Sequence, residues 1–151
     1  MQLQCGFNFK AYNLTIFLRV FPLCIRFLGM KLQPDRHAGL SVTAYAEGWI
    51  AVNGSRYSHD LLISSSGTLL AWPVKDFKHL QSDHLSWLWE TRADILLIGC
   101  SSKTPRPDHV SLFPLIEKGM GTEVMDTAAA CRTFNILAAE GRRVAAVLML
   151  V

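Results

Sequence analysis

The chain has 151 residues, half of them hydrophobic, and a formal net charge of +3 from 15 basic and 12 acidic side chains. That length suits one domain with a substantial core. The charge excess sits in residues 1–29, where Lys10, Arg19 and Arg26 occur without an acid; twelve cations and twelve acids remain beyond it, so no basic stripe is left to hold nucleic acid.

From Leu14 to Met30 the chain reads LTIFLRVFPLCIRFLGM. Arg19 and Arg26 would each cost several kcal/mol in a bilayer, about 2.5–3.5 on insertion scales, and Pro22 interrupts a helix. No stable membrane span is expected. An uninterrupted apolar stretch before a small-x-small cleavage site is also missing, which argues against a signal peptide. Two readings stay open: a targeting segment or interfacial helix, or an extension upstream of a natural start at Met30. In either case 1–29 lies outside a single domain at 30–151. The expected location is cytoplasmic, or mitochondrial if 1–29 is a transit segment.

Residues 31–40, with Pro34 and Gly39, form a lead-in coil. Ser41 to Ala46 and Trp49 to Val52 alternate around Glu47-Gly48, the pattern of a β-hairpin. Asn53-Gly54 is a two-residue turn signal, because both positions tolerate positive φ, and Ser55 to Tyr57 returns. Leu61 to Ile63 and Thr68 to Ala71 are further short strands around Ser64-Ser65-Ser66-Gly67, with Trp72-Pro73 closing. Residues 41–73 thus read as a β-meander. Ser64 to Ser66 lacks the G-x-S-x-G of a nucleophile elbow and reads as a polar turn. Neither G-x-x-x-x-G-K-[ST] nor G-x-G-x-x-G occurs.

Asp76 to Leu80 suggests a helical turn, and Ser82 an N-cap for a helix to about Thr91. Leu85, Leu88 and Trp89 share one face of that helix. Trp87 and His84 lie elsewhere and are candidates for a self-association face, or for packing on the meander. Asp94 to Gly99, DILLIG, is apolar throughout, as a strand covered on both faces must be. Cys100 to His109 is a Ser/Pro loop. Val110 to Lys118 is an amphipathic helix that tolerates Pro114 near its first turn and stops at Gly119. Glu123 to Met125 is a short buried strand. Asp126 is an N-cap for an Ala-rich helix that ends at Gly141, and Val144 to Val151 is the last strand.

The expected fold is therefore α/β: a single three-layer domain with an N-terminal β-meander and then a β-α-β-α-β unit on a mixed central sheet. Strand-helix alternation implies parallel neighbours. Ligands of open α/β sheets bind beyond the strand carboxyl ends, here Gly99, Cys100, Ser101, Ser102, Asp126 and Thr127. Arg132 and Asn135 are the further ligand candidates on the helix. The helix start is a potential anion site, but Asp126 would repel an anion and no glycine opens the turn. Cys131 is either a buried core cysteine or a nucleophile, with Asp126 as base or orienter and Arg132 as anion clamp. No Ser-His-Asp or Cys-His set can be assembled, since His109 is the one histidine near this edge. The four cysteines form no C-x-x-C pair and the five histidines have no ligand spacing, so no metal or other cofactor is expected and the thiols suit a reducing compartment.

Trp72-Pro73-Val74, the DILLIGC run, EVMDTAAACRTFN, EGRRVAAVLML and VNGSRY at 52–57 together resemble one family: the bacterial and archaeal relatives of mitochondrial complex I assembly factor 3 and of a vertebrate adipogenesis-associated protein. The resemblance spans Met30 to Val151 and is most specific over 122–145. It implies a three-layer α/β domain with a β-rich N-terminal half and supplies no catalytic mechanism. It implies a protein-binding or assembly module rather than an enzyme, with a protein partner related to the respiratory NADH dehydrogenase. A homo-oligomer stays open. The competing expectation is a small-molecule-binding protein or enzyme with its site at the strand ends, using Cys131 and Arg132.

Overall fold

In this computed structural model residues 39–150 are described, and the expectations for residues 1–29 lie outside them. Eight strands and three α-helices follow one another among the described residues. Strands β1 (Val42–Ala46), β2 (Trp49–Val52) and β3 (Ser55–Tyr57) form a small antiparallel sheet. Strands β4 (Leu61–Ser64), β5 (Leu69–Ala71), β6 (Ile95–Cys100), β7 (Gly121–Asp126) and β8 (Val144–Leu148) form the main sheet, in the order β5-β4-β8-β6-β7. In it β6 runs parallel to both β7 and β8, while β4 is antiparallel to β8 and to β5.

The main sheet is mixed, as expected, but the meander divides. Its first three strands leave the sheet that the next two join. The β1–β2 hairpin turns at Glu47-Gly48, and the next turn places Asn53 at φ 49° and Gly54 at φ 85°, the two positive angles that a tight two-residue hairpin requires. The hydroxyls of Ser64 to Ser66 are used internally. Ser64 Oγ accepts from Thr68 N at 3.0 Å and pairs with Ser66 Oγ at 2.7 Å, and Ser65 Oγ accepts from Val144 N at 3.1 Å.

The helices are α1 (Ser82–Glu90), α2 (His109–Glu117) and α3 (Thr127–Ala139), with a 3-10 turn at Phe77–His79. Helix α1 starts from Gln81 rather than Ser82, and the Gln81 backbone N–H donates to His84 Nδ1 at 3.2 Å. The crossovers β6-α2-β7 and β7-α3-β8 travel in opposite directions along the sheet. Connections of one hand therefore put α2 and α3 on opposite faces.

This explains why DILLIG has no polar break. Alternate side chains of a strand point to opposite faces, and both faces are covered. Leu96 and Ile98 pack with Leu62, Val147, Trp72, Phe77, Leu88 of α1 and Leu112 and Leu115 of α2. Leu97 packs with Leu61, Ile63, Leu148, the small sheet's Ile50 and Val52, and Phe134 of α3. Trp87 is half-buried against the first cluster, with the His84 ring 5.5 Å from its own and 6.1 Å from that of Trp72. Strand β7 differs from expectation. It is longer than Glu123 to Met125, and among the described residues it is the edge strand of the main sheet, with none of its side chains fully buried.

Candidate functional site

Strands β6, β7 and β8 end side by side. Cys100 lies opposite Asp126, and Gly99 opposite both Met125 and Leu148. Helix α3 leaves this rim at a sharp corner. Asp126 caps it, its Oδ1 accepting from Ala129 N at 2.7 Å. Thr127 is buried and its hydroxyl donates to the Met149 carbonyl at 2.6 Å, tying the start of α3 to the end of β8. Beneath that corner lies Gly99. A Cβ there would stand 3.0 Å from Ala130 Cβ and 3.0 Å from Thr127 Cα. The helix rests on the strand backbone, so this part of the rim is filled by α3.

The remaining candidates separate. Cys100 is buried on the α1/α2 face, where burial pushes its thiol pKa up against the lowering effect of Arg106. Cys131 is buried on the α3 face. The two thiols are on opposite sides of the sheet and share no site. Ser101 N donates to Thr104 Oγ1 at 2.8 Å and its Oγ accepts from Lys103 N at 3.2 Å, which closes a tight turn with Ser102 exposed within it. Arg132 is exposed and donates from Nη1 to Tyr45 Oη at 2.8 Å, linking α3 to the hairpin. Asn135 acts as a piece of sheet edge. Its Nδ2 donates to Val42 O at 2.7 Å and its Oδ1 accepts from Val42 N at 2.9 Å.

Cys131 has neither property that a nucleophile needs. It is 1% exposed. Burial raises its thiol pKa from 9.0 to about 11, outweighing the Arg132 charge that lowers it. Asp126 adds to the rise instead of helping ionisation. A reactive cysteine requires the opposite environment, accessible and electropositive. Among the described residues no group of three or more His, Cys, Asp or Glu is placed to hold a metal ion.

Asp60 escaped the reading of the sequence. It is 2% exposed, at the same end of the sheet as the rim. Its Oδ1 accepts from Leu150 N at 2.8 Å, its Oδ2 pairs with Lys75, and its carbonyl accepts from Trp72 N at 2.7 Å. A buried carboxylate is tolerated only with such partners. The signal available was a single acid placed directly before the fully buried run LLIS. Close by, a cavity of about 220 Å³ opens between Tyr45, Glu47 and Ile50 of the hairpin and Thr127, Ala128 and Leu150. It is lined mostly by apolar atoms.

The assembly factor 3 of the NADH dehydrogenase (ubiquinone) 1 alpha subcomplex from Bos taurus is 30% identical over 121 residues, which is 78% of this chain and 65% of that protein. The human protein of the same name is 29% identical over 120 residues, with the same shares. The chain thus spans less than two thirds of the length of these relatives. The 13 kDa major membrane protein of Francisella tularensis is 26% identical over 122 residues, 80% of this chain and 99% of that one. Among solved structures, a Bordetella parapertussis crystal structure superposes with a TM-score of 0.66 at 36% identity, covering 76% of this chain and 98% of the other. A Bordetella pertussis solution structure, described as an Mth938-like domain, gives 0.65 at 30% identity over 78% and 89%. The family model described as a protein of unknown function (DUF498/DUF598) matches residues 42–149, from the first strand of the small sheet to the end of the central strand, and the chain belongs to that family.

Proposed function

We propose that this chain is a non-catalytic protein-binding module acting in assembly, the role named in its assembly-factor relatives. One observation carries the reading. The polar side chains gathered near the rim are engaged by the chain itself: Thr127 by Met149, Asp126 by Ala129, Arg132 by Tyr45 and Asn135 by Val42. Groups committed in this way serve as caps and struts that hold the domain together rather than as an acid-base pair. The partner we infer is a protein connected with the respiratory NADH dehydrogenase, met in the cytoplasm, or in mitochondria if residues 1–29 direct the chain there. Among the described residues no helix is long and apolar enough to cross a membrane. The test is crosslinking and affinity purification of the full chain from its native cells, with assembled NADH dehydrogenase quantified on native gels after depletion. A specific stable partner and a fall in assembled complex are expected. No partner and unchanged complex would overturn the reading.

The cavity beside Thr127 favours a second reading, a small-molecule site at the strand ends. Its apolar lining suits a compact ligand with little charge. Among the candidate residues at the strand ends, Gly99, Cys100, Ser101, Ser102 and Asp126 would act as its frame rather than its contacts. A ligand screen by thermal shift tests it: a ligand that raises Tm should lose its effect in Ala128→Trp, which fills the space.

A further inference from the structure

Asn53-Gly54 does more than mark a hairpin. The turn needs this pair for its angles: both residues have positive φ, and a Cβ at Gly54 would meet nothing within 4 Å, so conformation and not space selects glycine there. The same pair has a chemistry of its own. The backbone nitrogen that follows an asparagine can attack that asparagine's Cγ, and a glycine nitrogen is the least obstructed. Asn8, Asn13 and Asn135 precede Phe9, Leu14 and Ile136, whereas Asn53 precedes a glycine. Both turn residues are exposed to the water that the reaction consumes.

The fold holds both reacting groups. Asn53 Oδ1 accepts from Ser41 N at 2.9 Å, its Nδ2 donates to Gly39 O at 3.5 Å, and its backbone N donates to Ser41 O at 2.9 Å. The side chain must leave Ser41 and Gly39 before its Cγ can swing onto Gly54 N. That nitrogen is engaged as well, its N–H donating to Thr43 Oγ1 at 3.1 Å. Thr43 is the extra residue of a β-bulge, since Val42 lies opposite Val52 and Ala44 opposite Ala51. Bulges re-aim side chains. This one sets the Thr43 hydroxyl on the attacking nitrogen, while its own proton goes to Ala51 O at 3.3 Å. The amide must lose its proton to attack, and a hydrogen-bonded N–H gives it up less readily.

We propose that Asn53 is a site of spontaneous modification, converted by water to isoaspartate, with Thr43 setting the rate. Gly54 N gives its proton to solvent base and bonds to Asn53 Cγ. The Cγ–Nδ2 bond breaks and Nδ2 leaves as ammonia, closing a succinimide. Water then adds to a ring carbonyl. Opening the bond from Cγ to Gly54 N gives aspartate, and opening the bond from the main-chain carbonyl gives isoaspartate. Isoaspartate carries the chain through Cβ and Cγ, which lengthens the backbone inside a turn that has no room for it, and a carboxylate replaces the amide that faced Gly39 O. Ser41 then loses both bonds to the turn, leaving the Asn135 clamp on Val42 to tie β1 to α3. The small sheet, whose Ile50 and Val52 pack with Phe134, is loosened irreversibly as the chain ages. This goes beyond the assembly role and does not depend on it.

Peptide mapping by mass spectrometry of the full chain, aged at neutral pH, tests the site. Asn53 should convert in the folded chain, more slowly than in guanidinium. Thr43→Val should speed conversion of the folded chain about 5-fold, the factor that one hydrogen bond of roughly 1 kcal/mol is worth, and leave the rate in guanidinium unchanged. Thr43→Ser, which keeps the hydroxyl, should age at the parental rate. Circular dichroism checks that both variants fold. In the isoaspartate-bearing chain, hydrogen exchange should show Ser41 and β1 to β3 losing protection while β4, β6 and β8 keep theirs. Conversion of Asn53 no faster than that of Asn135 in the folded chain overturns the proposal. So does a folded Thr43→Val chain that ages at the parental rate, or an isoaspartate-bearing chain with Ser41 still protected.

Discussion

Substituting Gly99 by Ala adds one methyl group at the point where α3 lies on β6. That methyl would stand 3.0 Å from Ala130 Cβ, 3.0 Å from Thr127 Cα and 3.4 Å from Leu148 Cδ2. Ordinary carbon contacts are about 3.5–4.0 Å. The Leu148 side chain can turn aside. The other two atoms cannot move separately, because both belong to the first turn of one helix. Relief therefore requires lifting the α3 N-terminus as a unit by several tenths of an ångström. That movement stretches the bond from Thr127 to the Met149 carbonyl, now 2.6 Å. Overpacking of this kind costs about 1–3 kcal/mol. Against it, removing a glycine from a strand gains roughly 0.5–1 kcal/mol. A net loss of about 1–2 kcal/mol follows, and Gly99→Val should lose more. Urea unfolding of the full chain measures this directly as a lower midpoint at unchanged slope. Gly99→Ala as stable as the parent, or more so, would refute the close-packed rim and reopen it as a cleft.

Iodoacetamide should leave Cys131 unmodified in the folded chain at pH 8 and label it in urea; rapid labelling of the folded chain contradicts the buried, raised-pKa thiol. Because the folded pKa lies above the unfolded value of 9.0, the thiol's contribution is fully present below pH 9 and is lost as pH rises toward about 11. At about 1.4 kcal/mol for each pKa unit that loss is of order 2–3 kcal/mol, and Cys131→Ala should lack that part of the slope. Asp60→Ala strands the Leu150 N–H and is expected to cost about 2–4 kcal/mol, read as a fall in Tm, whereas Lys75→Ala should cost less because the Asp60 carboxylate keeps its bond from Leu150 N–H. Asn135→Ala removes both bonds to Val42 and should lower stability by roughly 1–3 kcal/mol, with hydrogen exchange speeding up in β1 and β2 before the main sheet.

Whatever local chemistry decides was legible in the chain. Asn53-Gly54 marks its turn through two positive φ angles, Asp126 its helix through a cap, and DILLIG its central strand through double-sided burial. The partition of strands between sheets was not, because it depends on which distant edge accepts each strand. Tyr57 and Leu61 are four residues apart, yet β3 ends one sheet and β4 enters another. Asp60 was invisible for the same reason. Its side-chain partners lie 15 and 90 residues away. The failure to group Cys100 with Cys131 has a simpler origin. Cys100 shares the parity of Leu96 and Ile98, and α3 covers the other face. Grouping by strand end put the two thiols together, whereas the alternation along β6 separates them.

Strand β8 is the last strand of the chain among the described residues, yet it lies in the middle of the main sheet, with β4 on one side and β6 on the other. Until it has left the ribosome, the hairpin of β4 and β5 has nothing to join, and the β6–β7 pair exposes a second raw edge. At about 5–20 residues per second, the nascent polypeptide spends several seconds as two unmatched halves. A stop codon just before Val144 would deprive both halves of their shared seam, so it should yield insoluble product rather than a slightly shortened domain.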